Sequence, residues 1–299
     1  RLDEFAVTLD RLDVEIDTIR AELAGGVQLE QRPDGTWLPN LQLTGPIVGD
    51  VQPETVLAYW PVVLADGGRE WVSEGILGGR FYNARFDLDL PASAIDAGVL
   101  ENDRMSLSFD FEDAHVRYIS TMTAITEARG SAVLRGNAFE VTMDSGRLGE
   151  LEVSEGFVDL PRLNPKGAMA RYGGLVRGQA SDILALIDED PLFLVSDYGL
   201  DPDLIGGEGE MRFDIRRAML TEVDPEEIAF FIDGHFSNAS LDVPGTDYSL
   251  TEGEVSIRAS QAGLQAVGTA QLFDAPVRID WRETFGNRDD SPSTRIGLE

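Results

Sequence analysis

The sequence predicts a mainly β protein, a succession of antiparallel strands with a few short helices between them. Three observations carry this. Between Glu101 and Leu163, apolar and polar residues alternate: Met105, Leu107, Phe109 and Phe111 against Ser106, Ser108, Asp110 and Glu112, then Phe139, Val141 and Met143 against Glu140, Thr142 and Asp144. A period of two gives a strand one apolar and one polar face, which no helix can reproduce. The breaks are rich in Gly, Asn and Asp. Arg129-Gly130, Gly136-Asn137, Asp144-Ser145-Gly146 and Glu155-Gly156 read as turns. The same style then recurs along most of the chain.

Residues 1–32 fit two patterns. Phe5, Leu9, Leu12, Ile16, Ile19 and Leu23 have the spacing of a coiled-coil seam, yet Phe5, Val7, Leu9 and then Leu12, Val14, Ile16 alternate as strands do. The strand reading is preferred, because Val27, Leu29 and the Asp34-Gly35 hairpin signal continue it. Leu41 and Leu43 form a further short strand before Gly45-Pro46. Pro53 opens a helix with Asp50 or Gln52 near its cap, Pro61 kinks or divides it, and Gly67-Gly68 ends it. A second helix fits 69–77. Strands resume at Gly79 with Phe81, Phe86, Leu88 and Leu90, and a short irregular or helical piece follows at 92–98. Leu151, Val153 and Phe157 begin a pair of strands closed by Leu160, and 162–172 read as a loop. A helix over Asp182–Asp188 has Ser181 as its cap. Strands return at Met211, Phe213 and Ile215, then at Phe231, Phe236, Leu241, Val255, Ile257, Leu264, Leu272, Val277 and Trp281. Residues 286–299 are polar and read as a frayed tail or hinge.

A short unit occurs three times: Phe, any residue, Asn or Asp, Ala, any residue, then an apolar residue. It is Phe81–Phe86, Phe111–Val116 and Phe236–Leu241. It reads as a strand, a small bend at Asn83, Asp113 or Asn238, and a strand re-entering on the same face. Repetition of such a unit implies an elongated architecture growing along one axis.

Composition narrows the function. The 299 residues include 54 acidic and 24 basic ones, a formal net charge of -30. Such a surface repels nucleic acid and anionic headgroups, while leaving contact with lipid tails open. There is no Cys, hence no disulfide framework. No window of 18 apolar residues offers a membrane span. The chain opens at Arg1, without an initiator Met or signal peptide, and reads as an excised piece whose export signal or anchor would lie upstream. No catalytic pattern emerges. The two histidines, His115 and His235, sit within strand patterns, and no HExxH, GxSxG or Walker motif occurs, so neither catalytic nor metal-binding residues nor a cofactor are expected. Large apolar residues outnumber what the few helices can cover. Either two sheets close on one another, or one curved sheet leaves an apolar trough suited to fatty-acyl chains.

Several stretches resemble the AsmA-like superfamily of Gram-negative envelope proteins, and within it the YhdP-type middle region. They are Val56-Leu57-Ala58-Tyr59-Trp60-Pro61, Arg69-Glu70-Trp71-Val72, Gly75–Phe81 and Asn83-Ala84-Arg85-Phe86-Asp87-Leu88. A second set runs Gly178–Ile187, Pro191-Leu192, Gly199-Leu200-Asp201-Pro202 and Gly207. The resemblance implies an elongated, twisted antiparallel sheet curved into an apolar groove over residues 1–285, with short helices near 53–77 and 182–189 that flank, plug or gate it. It implies a periplasmic location, an inner-membrane anchor upstream, and a bridge-like protein that passes phospholipid between inner and outer membranes. On that reading Phe109, Phe111, Phe139, Val141, Phe213 and Ile257 line the groove and touch acyl chains. Trp60 and Trp71 are expected to anchor helix to sheet. The alternative is a non-catalytic envelope scaffold that binds a protein partner along an exposed edge strand.

Overall fold

The computed structural model describes all residues except 1–3, 17–18, 33, 60–72, 98–100, 119–120, 191–192, 194, 197–199, 221–222, 225–226, 244–245, 286–293 and 299. The chain is mainly β. Its strands are β1 (Glu4–Ile16), β2 (Ile19–Gln31), β3 (Trp37–Val48), β4 (Ile76–Leu90), β5 (Met105–Val116), β6 (Ile125–Arg135), β7 (Ala138–Leu148), β8 (Leu151–Leu160), β9 (Met169–Gln179), β10 (Ile205–Ala218), β11 (Ala229–Asp242), β12 (Ser249–Ser260), β13 (Gly263–Leu272), β14 (Ala275–Thr284) and β15 (Thr294–Leu298). Short helices interrupt them, among them α1 (Pro53–Tyr59), α2 (Ala92–Ala97) and α3 (Ala180–Ile187). Strand order in the single sheet follows chain order from β1 to β15, so each connection joins neighbours.

By internal contacts the chain divides into two compact units. Unit 1 holds residues 1–116, 127–143 and 158–168, and unit 2 holds 117–126, 144–157 and 169–299. In unit 1 the expected hairpin forms at Asp34-Gly35. The Asp34 carboxylate accepts from the Thr36 N–H at 2.9 Å, and Gly35 takes φ 87°, open to glycine at little cost. The Thr55 N–H bonds the Gln52 carbonyl at the start of α1. The strand reading of 5–23 holds, and its geometry explains the coiled-coil spacing. A register shift between Leu9 and Leu12 makes residues three apart share a face, so a bulged hairpin mimics a heptad step.

Several of the expected turns lie inside strands. Arg129-Gly130, Asp144-Ser145-Gly146 and Glu155-Gly156 lie inside β6, β7 and β8 rather than at turns. Gly136-Asn137 does turn the chain, and the turn after β7 is Gly149-Glu150. A glycine in a strand flanked by partners on both sides makes a bulge or a close approach, because the neighbouring ladders hold the chain extended. Gly45-Pro46 likewise continues β3, and Leu151–Leu160 is one strand, not two. Of the helix expected over 69–77, residues 69–72 lie outside the described residues, 73–75 are helical, and Ile76 and Leu77 already belong to β4. β9 begins at Met169, which removes Arg171 from the loop expected over 162–172. Ser181 lies within α3; the residue at its N-cap is Gln179, which makes no side-chain cap bond. Of the polar tail, 286–293 lie outside the described residues, and Thr294–Leu298 pair with β14.

The three repeats of the Phe-x-Asn/Asp-Ala unit share one conformation. Asn83, Asp113 and Asn238 have φ of 52°, 51° and 48° in the middle of continuous strands. Each is a bulge residue in the left-handed region, after which the apolar face resumes three residues on. Phe81 passes to Ala84, Phe111 to Ala114 and Phe236 to Ala239. Glu127, Glu155 and Glu252 repeat the geometry, at φ 51°, 52° and 50°, each followed by Ala128, Gly156 or Gly253.

Candidate functional site

Register decides which side chains share a face. In unit 1, Leu9, Gly25, Leu43, Leu88 and Met105 lie side by side across β1 to β5, and Val7, Val27, Leu41 and Leu90 form the next row. Phe86 faces Leu107, Phe81 faces Phe111, and the Phe81 ring meets Phe109 edge-on at 5.8 Å. One side of this sheet is therefore a continuous apolar surface of mostly half-buried side chains. The other side carries Gln42 with Asp89, Thr44 with Asp87 and Ser106, and Arg85 with Ser108. Its carboxylates are well bound. The Thr44 hydroxyl and then the Arg85 guanidinium hold Asp87 below the usual carboxylate range, and Gln42 and Arg104 do the same for Asp89.

Unit 2 repeats the division. Val176, Met211, Gly234, Ile257, Ala266 and Trp281 form one apolar row; Gly174, Phe213, Ile232, Ala259 and Leu264 form the next. Between these rows, on the opposite face, run Leu175, Arg212, Asp233, Arg258, Gln265 and Arg282. Ion pairs knit that polar face together: Arg212 to Glu155 at 2.8 Å, Arg258 to Asp233 at 3.3 Å, Arg177 to Glu210 at 3.1 Å, and Arg282 to Asp280 at 3.0 Å. The Arg171 guanidinium holds Asp214 below its ordinary pKa and stacks 4.8 Å over the Phe157 ring.

All six residues expected to line a groove project from the apolar side of their strands. Phe109, Phe139, Val141, Phe213 and Ile257 are half-buried. Phe111 is 6% exposed, and a Cβ added at Gly130 would lie 2.8 Å from its Cζ, so its ring is packed over the glycine. Phe109 and Phe111 belong to unit 1 with Phe139 and Val141; Phe213 and Ile257 belong to unit 2. Trp60 and Trp71 lie outside the described residues. The sequence reading placed Phe81, Phe86, Leu264 and Trp281 on strands without counting them among the groove-lining residues, and it did not single out Ile232. The three-residue step at each bulge was the available signal, and it is visible once period two is allowed to slip by one.

Part of the unit 2 face is covered. α3 lies against β9 and β10, with Ile183 fully buried; a Cβ added at Gly209 would stand 3.1 Å from Ile183 Cδ1 and 2.5 Å from Phe236 Cδ1. Gly178, Gly209 and Phe236 form one row under the helix, and Leu151 lies over Gly178. The histidines take other places. His235 is exposed on the polar face with Nε2 3.4 Å from Glu254, and His115 is half-buried in β5. Among the described residues no three metal-ligating side chains converge, and no helix is long and apolar enough to cross a membrane. Chemically, each unit offers a broad apolar surface backed by a hydrogen-bonded, charged one. A family model described as YhdP protein matches residues 2–299. No curated protein and no solved structure matches the chain.

Proposed function

The chain belongs to the YhdP protein family, and from that membership and its apolar sheet faces we propose that it is a periplasmic segment of a bridge-like protein that shields phospholipid acyl chains. It conducts lipid between the inner and outer membranes, from an inner-membrane anchor upstream. The observation that carries the reading is the pair of rows in unit 2, with Phe213, Ile232, Ile257 and Leu264 half-buried on one face and a net of ion pairs on the other. A soluble sheet ordinarily buries its apolar side under a second layer. An acyl chain laid along such a face gains about 0.8 kcal/mol per methylene removed from water. The lipid headgroups stay in water, and the charge of -30 keeps the segment from adsorbing flat onto an anionic membrane surface.

Native mass spectrometry of the gently purified chain, followed by lipid extraction, tests this. Co-purifying phospholipid near one or more molecules per chain is expected, and it should be lost when Phe109→Asp and Phe139→Asp are combined in a still-folded variant. A lipid-free chain that also fails to take up labelled phospholipid would refute the reading.

A further inference from the structure

We propose that α3 is an intramolecular occupant of the acyl-chain face of unit 2, held on that face by a polar clasp whose release opens the covered rows to lipid; the inference rests on the lipid-shielding reading above. Three observations carry it. First, α3 sits where an acyl chain would lie. Ile183 meets Gly209 and Phe236 in the row beside Val176 and Met211, and the glycines at 178 and 209 leave room for an apolar body on the sheet. The same face at Phe213, Ile232 and Leu264 is only half-buried.

Second, little within α3 itself holds it helical. It has eight residues, no side-chain cap bond from Gln179, and no basic residue in its last turn, while an isolated helix in water needs roughly 12–15 residues to be even marginally stable. Its stability therefore comes from docking. Third, the residues just after α3 are fastened by a clasp of hydrogen bonds, with Val195 of that clasp buried. The Asp188 carboxylate accepts from the N–H of Val195 at 3.0 Å and of Ser196 at 2.8 Å, and from the Ser196 hydroxyl at 2.9 Å. The Glu189 carboxylate accepts from the Thr123 N–H at 2.7 Å and from the Thr123 hydroxyl, and the Thr121 hydroxyl donates to the Asp190 carbonyl at 2.7 Å. The segment between β5 and β6 thus ties down the C-terminal end of α3. A lipid on the open rows meets α3 on the same surface and competes with it for the same contacts.

The experiment uses the whole chain and a phosphatidylethanolamine carrying a diazirine on one acyl chain, with photolysis and peptide mapping. In the parent chain, label should fall on β12 and β13, which carry Ile257 and Leu264, and little on the row under α3 at Gly178, Gly209 and Phe236. Loosening the clasp with Thr123→Val and Glu189→Ala together should raise labelling of that row about tenfold, the factor for losing one or two hydrogen bonds to a carboxylate. Labelling of β12 and β13 should not change. A folded clasp variant labelled as the parent is, or a parent already labelled equally at Gly178, Gly209 and Phe236, overturns the proposal and leaves the lipid-shielding reading standing. No labelling of either protein refutes both. Should the variant not fold, hydrogen exchange of residues 180–187 in the parent decides: faster exchange on adding the lipid supports displacement of α3, and unchanged exchange overturns it.

Discussion

At the scale of single residues, the feature that shapes both units is a left-handed bulge followed by a small side chain. The conformation costs an ordinary L-residue roughly 1–2 kcal/mol, and Asn and Asp reduce that cost by bonding locally, which suits Asn83, Asp113 and Asn238. Glu127, Glu155 and Glu252 have no such help. Replacing the exposed Glu127, at φ 51°, with Gly should therefore stabilise the chain by about 0.5–1 kcal/mol, seen as a higher urea midpoint at unchanged slope. A lower midpoint would show that the bulge carries no strain. The small residue after each bulge is equally constrained. Ala114 is 1% exposed, and a Cβ at Gly79 on the neighbouring strand would stand 2.8 Å from its Cα. Gly130, inside β6, is crowded too, so Gly130→Ala, which drives a methyl at the Thr142 carbonyl and the Phe111 ring, should cost roughly 1–3 kcal/mol. Urea unfolding would read that loss, and a neutral result would mean β6 and β7 can separate locally.

At the scale of elements, α3 shows how a short amphipathic helix becomes stable only against a sheet. Truncating Ile183, which is fully buried, to Ala should remove about 2–4 kcal/mol, with the loss appearing first as faster hydrogen exchange in residues 180–187. The clasp region also holds a titrating group. Tyr118 keeps 38% of its surface exposed, yet desolvation of its hydroxyl, aided by the nearby Glu189 charge, pushes its pKa up to about 12 from 10.0. A phenol whose pKa is raised by folding contributes stability that is complete below pH 10.0 and lost as pH rises toward 12. Tyrosinate absorbance should show late titration of Tyr118 and of Tyr172, which burial also raises, with one fewer late-titrating group in Tyr118→Phe. The reverse sign applies to Asp214. Arg171 lowers its pKa, so its contribution is present above the ordinary carboxylate range and disappears as pH falls through the lowered value.

At the scale of the whole molecule, charge and apolar surface are sorted onto opposite faces within each unit. The net charge of -30 opposes folding by self-repulsion, and ion pairs on the polar faces offset only part of it. Raising salt from about 0.01 M to about 0.15 M shortens the Debye length from about 30 Å to about 8 Å. The thermal midpoint should rise over that range. A fall would mean that the arginine–carboxylate pairs outweigh the repulsion. Lipid belongs to the same scale, because binding to the folded state alone raises stability with ligand concentration. Phospholipid taken up by the parent chain should raise its thermal midpoint, and Phe213→Asp with Ile257→Asp should reduce that rise.

Period-two alternation by itself determined that the chain is an antiparallel β protein, that Asp34-Gly35 and Gly136-Asn137 turn it, and that Phe109, Phe139, Phe213 and Ile257 belong to apolar faces. Those outcomes follow from local backbone geometry and the character of each side chain. The Phe-x-Asn/Asp-Ala unit carried the bulge as well, because Asn and Asp announce a left-handed residue. Only the tertiary structure decided that Glu127, Glu155 and Glu252 do the same, since glutamate has no such preference and is held there by strands on either side. It alone decided that Gly130 sits under Phe111, that β9 claims Arg171, and that α3 covers Gly209 and Phe236. Each depends on which strand lies beside which and at what offset, and a slip of one residue in pairing exchanges the two faces of a sheet.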